Sequence, residues 1–76
     1  MNRIKEILYN IRPEEDFAVS DNFIEDGMLD SFDIVMLVTE LDEAYSISIE
    51  GTDIVPENFR NIETIYNLLK KNGAVI

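Results

Sequence analysis

A serine between two aspartates, in the stretch Asp30-Ser31-Phe32-Asp33, is the group of side chains best suited to chemistry in this sequence. A serine hydroxyl can act as a nucleophile when a base activates it, or it can accept a covalently attached group. The chain contains no His and no Cys, and it has no G-x-S-x-G motif around the serine. These residues therefore point to a serine that is modified, and not to one that catalyses.

The same stretch has the features of a helix start. Asp30 or Ser31 can cap the first free amides, Asp33 suits the positive end of the helix dipole, and an apolar run begins at Ile34. An anionic group on the serine would lie at that positive end, where a negative charge is stabilised.

Three segments have the apolar spacing of amphipathic helices. The first is Asn2 to Ile11, which Pro13 ends by restricting the residue before it. The second is Ser31 to Tyr45, and the third runs from Ile62 to Lys71 or Asn72, with Asn61 as N-cap and Gly73 as C-terminal cap. We predict one domain, residues 1–76, built as an all-α bundle of three to four helices with a long first loop.

The connecting segments lack a sustained period, so their scattered apolar residues are expected to anchor them to the core. In the first loop these anchors are Phe17, Val19, Phe23, Ile24, Met28 and Leu29. Ser46 to Ile49 is expected to be an extended connector that buries Ile47 and Ile49. A short helical turn is expected around Pro56, with Ile54, Val55 and Phe59 facing inward.

The second predicted helix has more apolar surface than a one-sided core requires. Beside its core stripe runs a second stripe, formed by Phe32, Val35, Met36 and Thr39. Acids surround it, namely Asp33, Glu40, Asp42 and Glu43. Either another loop covers this stripe or a partner protein does, and the acids around it favour a docking surface for a partner.

The formal net charge is −10, and Arg3, Lys5, Arg12, Arg60, Lys70 and Lys71 are all the basic residues. A negative potential repels nucleic acid and anionic lipid and attracts basic protein surfaces, although the charge alone fits a surface that only keeps the protein soluble equally well. The chain has no apolar run long enough for membrane insertion and no signal-peptide pattern, so we expect a cytoplasmic protein. We also expect it to be a monomer. An EF-hand alignment on Gly27 fails at Ile24 and Asp33, and only weak Ca²⁺ or Mg²⁺ binding by Glu25, Asp26 and Asp30 stays open.

The whole chain resembles the acyl carrier proteins, whose D-S-[L/M/F] attachment motif reads here Asp30-Ser31-Phe32. The acidic balance, the length and the order of helices are also similar to that family. The segment from Glu25 to Phe32 resembles more closely the D-alanyl and other aminoacyl carriers. Met36 stands where fatty-acid carriers usually have a glutamate, which favours a dedicated set of partners.

The resemblance implies a non-catalytic carrier, with 4′-phosphopantetheine attached to Ser31 by a phosphopantetheinyl transferase and Asp30 read by that transferase. An acyl or aminoacyl group would be carried as a thioester, loaded by an activating ligase and delivered to an acyltransferase or synthase. The partner-binding residues implied are Phe32, Asp33, Val35, Met36, Thr39, Asp42 and Glu43, with no metal ligand. The alternative is an acidic helical module that binds a partner without being modified.

Overall fold

The computed structural model describes residues 2–76, which form three α-helices and three short 3₁₀ turns. The helices are α1 (Asn2–Ile11), α2 (Ser31–Tyr45) and α3 (Ile62–Lys71). The 3₁₀ turns are Phe17–Val19, Gly51–Asp53 and Pro56–Phe59. The expected all-α bundle with a long first loop is therefore confirmed. Met1, which the expected domain of residues 1–76 included, lies outside the described residues.

One apolar core joins the three helices, with α1 packed against both α2 and α3. Each helix contributes a stripe of aliphatic residues, and the connecting segments close the core at its edges. The buried apolar side chains are Ile4, Ile7, Leu8, Phe17, Phe23, Leu29, Ile34, Leu37, Leu41, Ile49, Phe59, Ile65, Leu68 and Leu69. Burial of these stripes is what stabilises helices as short as α1 and α3, since isolated helices of this length are marginal in water.

The first loop, residues 12–30, is fixed by aromatic side chains. Phe17 packs edge-on against Tyr9 of α1 with ring centroids 5.4 Å apart, and against Phe23 at 5.0 Å. The backbone N–H of Phe23 donates to the Arg60 carbonyl at 2.6 Å, which ties the loop to the segment before α3. The prediction that Val19 is also an anchor is wrong, because its side chain is 77% exposed. Phe17 and Val19 share one 3₁₀ turn, and residues two apart in such a turn point in different directions.

The segment between α2 and α3 is attached to both helices. The Asp42 carboxylate of α2 accepts the Ile49 N–H at 3.0 Å, and the buried Asp53 carboxylate accepts the Lys71 ammonium of α3 at 2.8 Å. That hydrogen bond from Lys71 lowers the pKa of Asp53 despite the opposing effect of burial. Ile49 is buried as predicted, whereas Ile47 is only half-buried.

Two further expectations for this segment had different outcomes. Phe59 is buried as predicted, and Val55 is half-buried. Ile54 was expected to face inward and is exposed, because it directly follows the Gly51–Asp53 turn, in which Asp53 takes the inward position.

Both ends of α3 are capped as the sequence predicts. The Asn61 side chain accepts the Thr64 N–H at 2.9 Å at its start. At its end Gly73 has φ of +94°, and Ala74 N–H donates to the Leu69 carbonyl at 2.9 Å, which is a Schellman arrangement. Within residues 2–76, none of the helices combines the length and the apolar character needed to cross a bilayer.

Candidate functional site

Ser31 is the first residue of α2 and its side chain is exposed. The residue before it, Asp30, is the N-cap: one of its carboxylate oxygens accepts the Asp33 N–H at 2.9 Å. Asp33 returns the interaction, since its Oδ2 accepts the Asp30 N–H at 3.1 Å, which completes a capping box. Of the two capping candidates in the sequence, the structure therefore uses Asp30, and the Ser31 hydroxyl is not needed to cap the helix.

The chain reaches Ser31 through a turn that is fixed on the core. Gly27 has φ of +73°, a conformation that residues with a Cβ atom rarely adopt. The N–H groups of Met28 and Leu29 both donate to the Phe23 carbonyl, at 2.9 and 3.2 Å. Leu29 is buried only two residues before Ser31. The serine is thus at the surface, but the backbone before it is fixed by the buried Leu29 and by the hydrogen bonds to the Phe23 carbonyl.

Asp33 lies under this first turn, with a side chain that is almost inaccessible to water. Its relative exposure is 4%, and it faces the guanidinium of Arg12, which follows α1 directly. Arg12 Nε and Nη2 lie 2.9 and 2.8 Å from Asp33 Oδ2. Nη2 also lies 3.4 Å from Asp30 Oδ2, and Nη1 lies 3.2 Å from Glu14 Oε2.

The pKa values of Asp33 and Arg12 are shifted in opposite directions, each of which favours the charged form. Burial raises the pKa of Asp33, but the hydrogen bonds from Arg12 and from Asp30 outweigh it and leave that pKa below its ordinary value. The hydrogen bond to Asp33, with a second one to Glu14, raises the pKa of Arg12. At neutral pH both groups are charged, so the first turn of α2 rests on an ion pair.

A shallow apolar groove of about 230 Å³ begins at Ser31. Ile34 and Val35 of α2 form one wall, and Ile54 and Pro56 form the other. A group attached to the hydroxyl would have its anionic part near the N-terminal end of α2 and apolar surface beside it. The site can therefore accept a long, partly apolar attachment.

The second stripe of α2 is exposed, as the sequence indicated. Phe32 is 72% and Val35 is 62% exposed, and Met36 and Thr39 follow on the same face. A groove of about 420 Å³ runs beside them toward α1, lined by Asn10, Ile11, Val35, Met36, Thr39 and Glu40.

The seven residues expected to bind partners are not all on this face. Phe32, Val35, Met36, Thr39 and Glu43 share it, because they are spaced by three or four residues. Asp33 is buried and pairs with Arg12, and Asp42 is half-buried, with Oδ1 accepting the Ile49 N–H. Five of the seven are thus exposed together on one face of α2.

Arg12, Ile54 and Pro56 belong to the site although sequence reasoning gave them no role there. Asp33 precedes Leu37 by four residues, so the helical period itself places it on the buried stripe, and a buried carboxylate needs a cation. That requirement predicts a cationic partner for Asp33, but the choice of Arg12 among the six basic residues depends on the fold. For Ile54 and Pro56 no such signal exists, since their contact with α2 depends on the path of an irregular segment.

Comparison with known proteins gives one family and two relatives. Residues 1–69 match the family described as "Phosphopantetheine attachment site". An acyl carrier protein of Phytoplasma australiense is 29% identical over 76 residues, covering 97% of this chain and 97% of that protein. An acyl carrier protein of Syntrophobacter fumaroxidans (strain DSM 10017 / MPOB) is 38% identical over 53 residues, covering 70% of this chain and 63% of that protein. No solved structure gave a significant match.

Proposed function

Because the chain belongs to the phosphopantetheine attachment-site family, we propose that Ser31 is the residue that carries its 4′-phosphopantetheine group. The chain is a carrier protein, and this covalent group is its cofactor. The observation that supports Ser31 is its place in the structure: an exposed hydroxyl at the first position of α2, left free by the Asp30 cap. The chain has other serines, but none of them starts a helix of this length.

The residues around Ser31 fit the group. The N-terminal end of α2 favours the phosphate, and the groove between α2 and the Ile54–Pro56 segment is apolar and open at the serine. When bound, the group supplies a thiol, which this chain lacks because it has no Cys. The Ser31 hydroxyl oxygen would bond to the phosphorus that bears the pantetheine in coenzyme A as its proton leaves. The pyrophosphate P–O bond would break, and adenosine 3′,5′-bisphosphate would be the leaving group.

The attachment is tested by intact mass after incubation with coenzyme A, Mg²⁺ and a broad-specificity transferase. We expect the wild type and Ser48→Ala, which removes another exposed serine, to gain one phosphopantetheinyl group. Ser31→Ala should gain none. An unmodified wild type would favour the alternative of an interaction module that needs no modification, and modification of Ser31→Ala would place the group elsewhere.

We propose that the transferase recognises the carboxylate of Asp30. Its side chain is 64% exposed although one oxygen is used in the cap. Asp30→Asn keeps an N-capping oxygen and removes only the charge, so the helix should still form. We expect this variant to be modified more slowly than Asp21→Asn, a change at an exposed aspartate away from the site. Equal rates would show that the charge of Asp30 is not read.

The exposed face of Phe32, Val35, Met36, Thr39 and Glu43 is proposed to dock the transferase, the loading ligase and the accepting enzyme. An apolar stripe beside acids fits a partner that presents apolar side chains among Lys and Arg. Met36→Lys should raise the KM of the transferase for the carrier and weaken its salt dependence. Val75→Lys, at a residue that is 97% exposed near the chain end, is the matched control. If both variants behave alike, the effect is one of net charge and not of docking.

For the cargo we propose the D-alanyl or aminoacyl type. Two features support this type: the segment from Glu25 to Phe32 resembles the aminoacyl carriers, and Met36 replaces the glutamate usual in fatty-acid carriers. The names of the two relatives say only that they are acyl carriers. The modified protein would be offered D-alanine with ATP and a D-alanine–carrier ligase, and separately a fatty acid with ATP and an acyl-carrier synthetase. Loading of the fatty acid alone would contradict the proposal.

A further inference from the structure

Arg12 joins three elements at the point where the carrier is modified. It follows the last residue of α1, and its backbone N–H still donates to the Leu8 carbonyl at 2.9 Å. Its guanidinium reaches Asp33 in the first turn of α2, the N-cap Asp30 and the loop residue Glu14. Residues 13–29 thus form a loop whose two ends are joined by the contacts of Arg12 with Asp30 and Asp33.

Most ion pairs on protein surfaces contribute little, because water and salt screen them. The Arg12 pair differs, because Asp33 is buried and uses the same Oδ2 atom to accept Arg12 Nε and the Asp30 N–H. Without Arg12 this charge would remain in a poorly hydrated position. The first turn would then have to open to hydrate Asp33, and the capping box that fixes Asp30 would open with it.

We propose that Arg12 is a positioning residue for the modification of Ser31. It holds Asp33 and Asp30, on either side of the serine, in one arrangement, so that the transferase meets a preformed hydroxyl and carboxylate. The inference rests on the proposed attachment at Ser31. With Arg12 the site extends from α2 to the end of α1. Contact with all three acids at once requires a planar side chain with several hydrogen-bond donors. A lysine in its place carries the charge but cannot span Asp33, Asp30 and Glu14 together.

The kinetic test compares Arg12→Met with Arg60→Met in the modification reaction. Both variants remove one arginine, and Arg60 is exposed and pairs with neither Asp30 nor Asp33. Its side chain lines a separate groove with Ile24 and Glu57, which shares only Pro56 with the groove at Ser31. We expect Arg12→Met to lower kcat roughly tenfold with little change in KM, since the docking face is intact and only the reacting group is less ordered. Arg60→Met should stay within about twofold of the wild type, and Arg12→Lys should lie between the two.

A second readout needs no transferase. The N–H of Asp33 donates to the Asp30 side chain and that of Ile34 donates to the Asp30 carbonyl, so both report on the first turn. In Arg12→Met these amides should exchange with deuterium about tenfold faster, whereas the amides of α3 should keep their wild-type rates. Arg60→Met should leave the Asp33 and Ile34 amides unchanged.

The outcomes separate the two proposals. A wild type that is not modified on Ser31 overturns the proposed function. If the wild type is modified and Arg12→Met matches it in kcat, the positioning role of Arg12 is overturned, as it is by a rise in KM alone, which would make Arg12 a docking contact. If Arg12→Met fails to fold, the kinetic constants and the amide exchange rates of Arg12→Lys distinguish the same outcomes.

Discussion

Asp33 has two roles inside the protein, and the second of them needs its negative charge. It accepts the Asp30 N–H as the third residue of the capping box, and it pairs with Arg12. Its pKa is lowered in the folded state, because the hydrogen bonds from Arg12 and Asp30 outweigh burial. The stability that Asp33 contributes is therefore present above the pKa of an unfolded aspartate, about 3.9, and is lost as the pH falls through the lower folded value.

Asp33→Asn should reveal this contribution. The amide keeps the size and one accepting oxygen, so the main loss is the charge that Arg12 binds. At pH 7 we expect the free energy of unfolding to fall by about 1.5–3 kcal/mol, the usual range for a hydrogen bond to a charged group.

Urea unfolding of both proteins from pH 7 to pH 2.5 measures the effect. The difference between them should shrink below about pH 4 as the wild-type carboxylate becomes protonated. Glu43→Gln, an exposed acid of the same helix, is the control and should give a small difference throughout. A difference for Asp33→Asn that does not change with pH would mean that packing, and not charge, is lost.

At the scale of elements, the helices could be predicted from the sequence because their information is local. The spacing of Ile4, Ile7 and Leu8 predicts α1, and the N-cap Asn61 predicts the start of α3, in both cases without reference to distant residues. The loops depend on distant contacts: Phe17 packs edge-on against Tyr9 of α1 and against Phe23, whereas Val19 in the same segment is exposed. Asp30 and Ser31 could likewise be found locally, but the pairing of Arg12 with Asp33 spans a loop and needed the fold.

The turn that leads into α2 has one position where only glycine is free of strain. Gly27 has φ of +73°, while Gly51, in the turn after α2, has no such conformation. An added Cβ would meet nothing within 4 Å at either residue, so the two sites differ in backbone conformation and not in space.

Gly27→Ala should therefore destabilise the fold by roughly 1 kcal/mol, the usual cost of a left-handed conformation for alanine. Gly51→Ala should be neutral or slightly stabilising, because alanine restricts the unfolded chain. Thermal unfolding of both variants beside the wild type is the measurement. For a domain of this size the first change corresponds to a fall of about 4–8 °C in Tm. Equal values for the two variants would contradict the role given to Gly27.

For the whole molecule, the uneven charge links function with stability. The net charge of −10 comes largely from the part of the chain between Arg12 and Arg60, which has no Lys or Arg and contains the proposed attachment and docking residues. The same field that attracts basic partners repels the acids from one another. Arg12 and Lys71 relieve that repulsion at two points, by pairing with Asp33 and Asp53.

Screening this field should stabilise the protein. At pH 7 we expect Tm to rise as NaCl is increased from low concentration, because the ions screen repulsion between exposed carboxylates. Millimolar MgCl₂ should do more than NaCl at equal ionic strength if the acids bind the divalent ion weakly. Near pH 4.1, the isoelectric point expected from the composition, the same salt addition should have little effect, because the net charge is then close to zero. A Tm that does not depend on salt at pH 7 would show that the acids are too far apart to repel. It would also remove the electrostatic basis for steering basic partners to α2, since both effects come from one field.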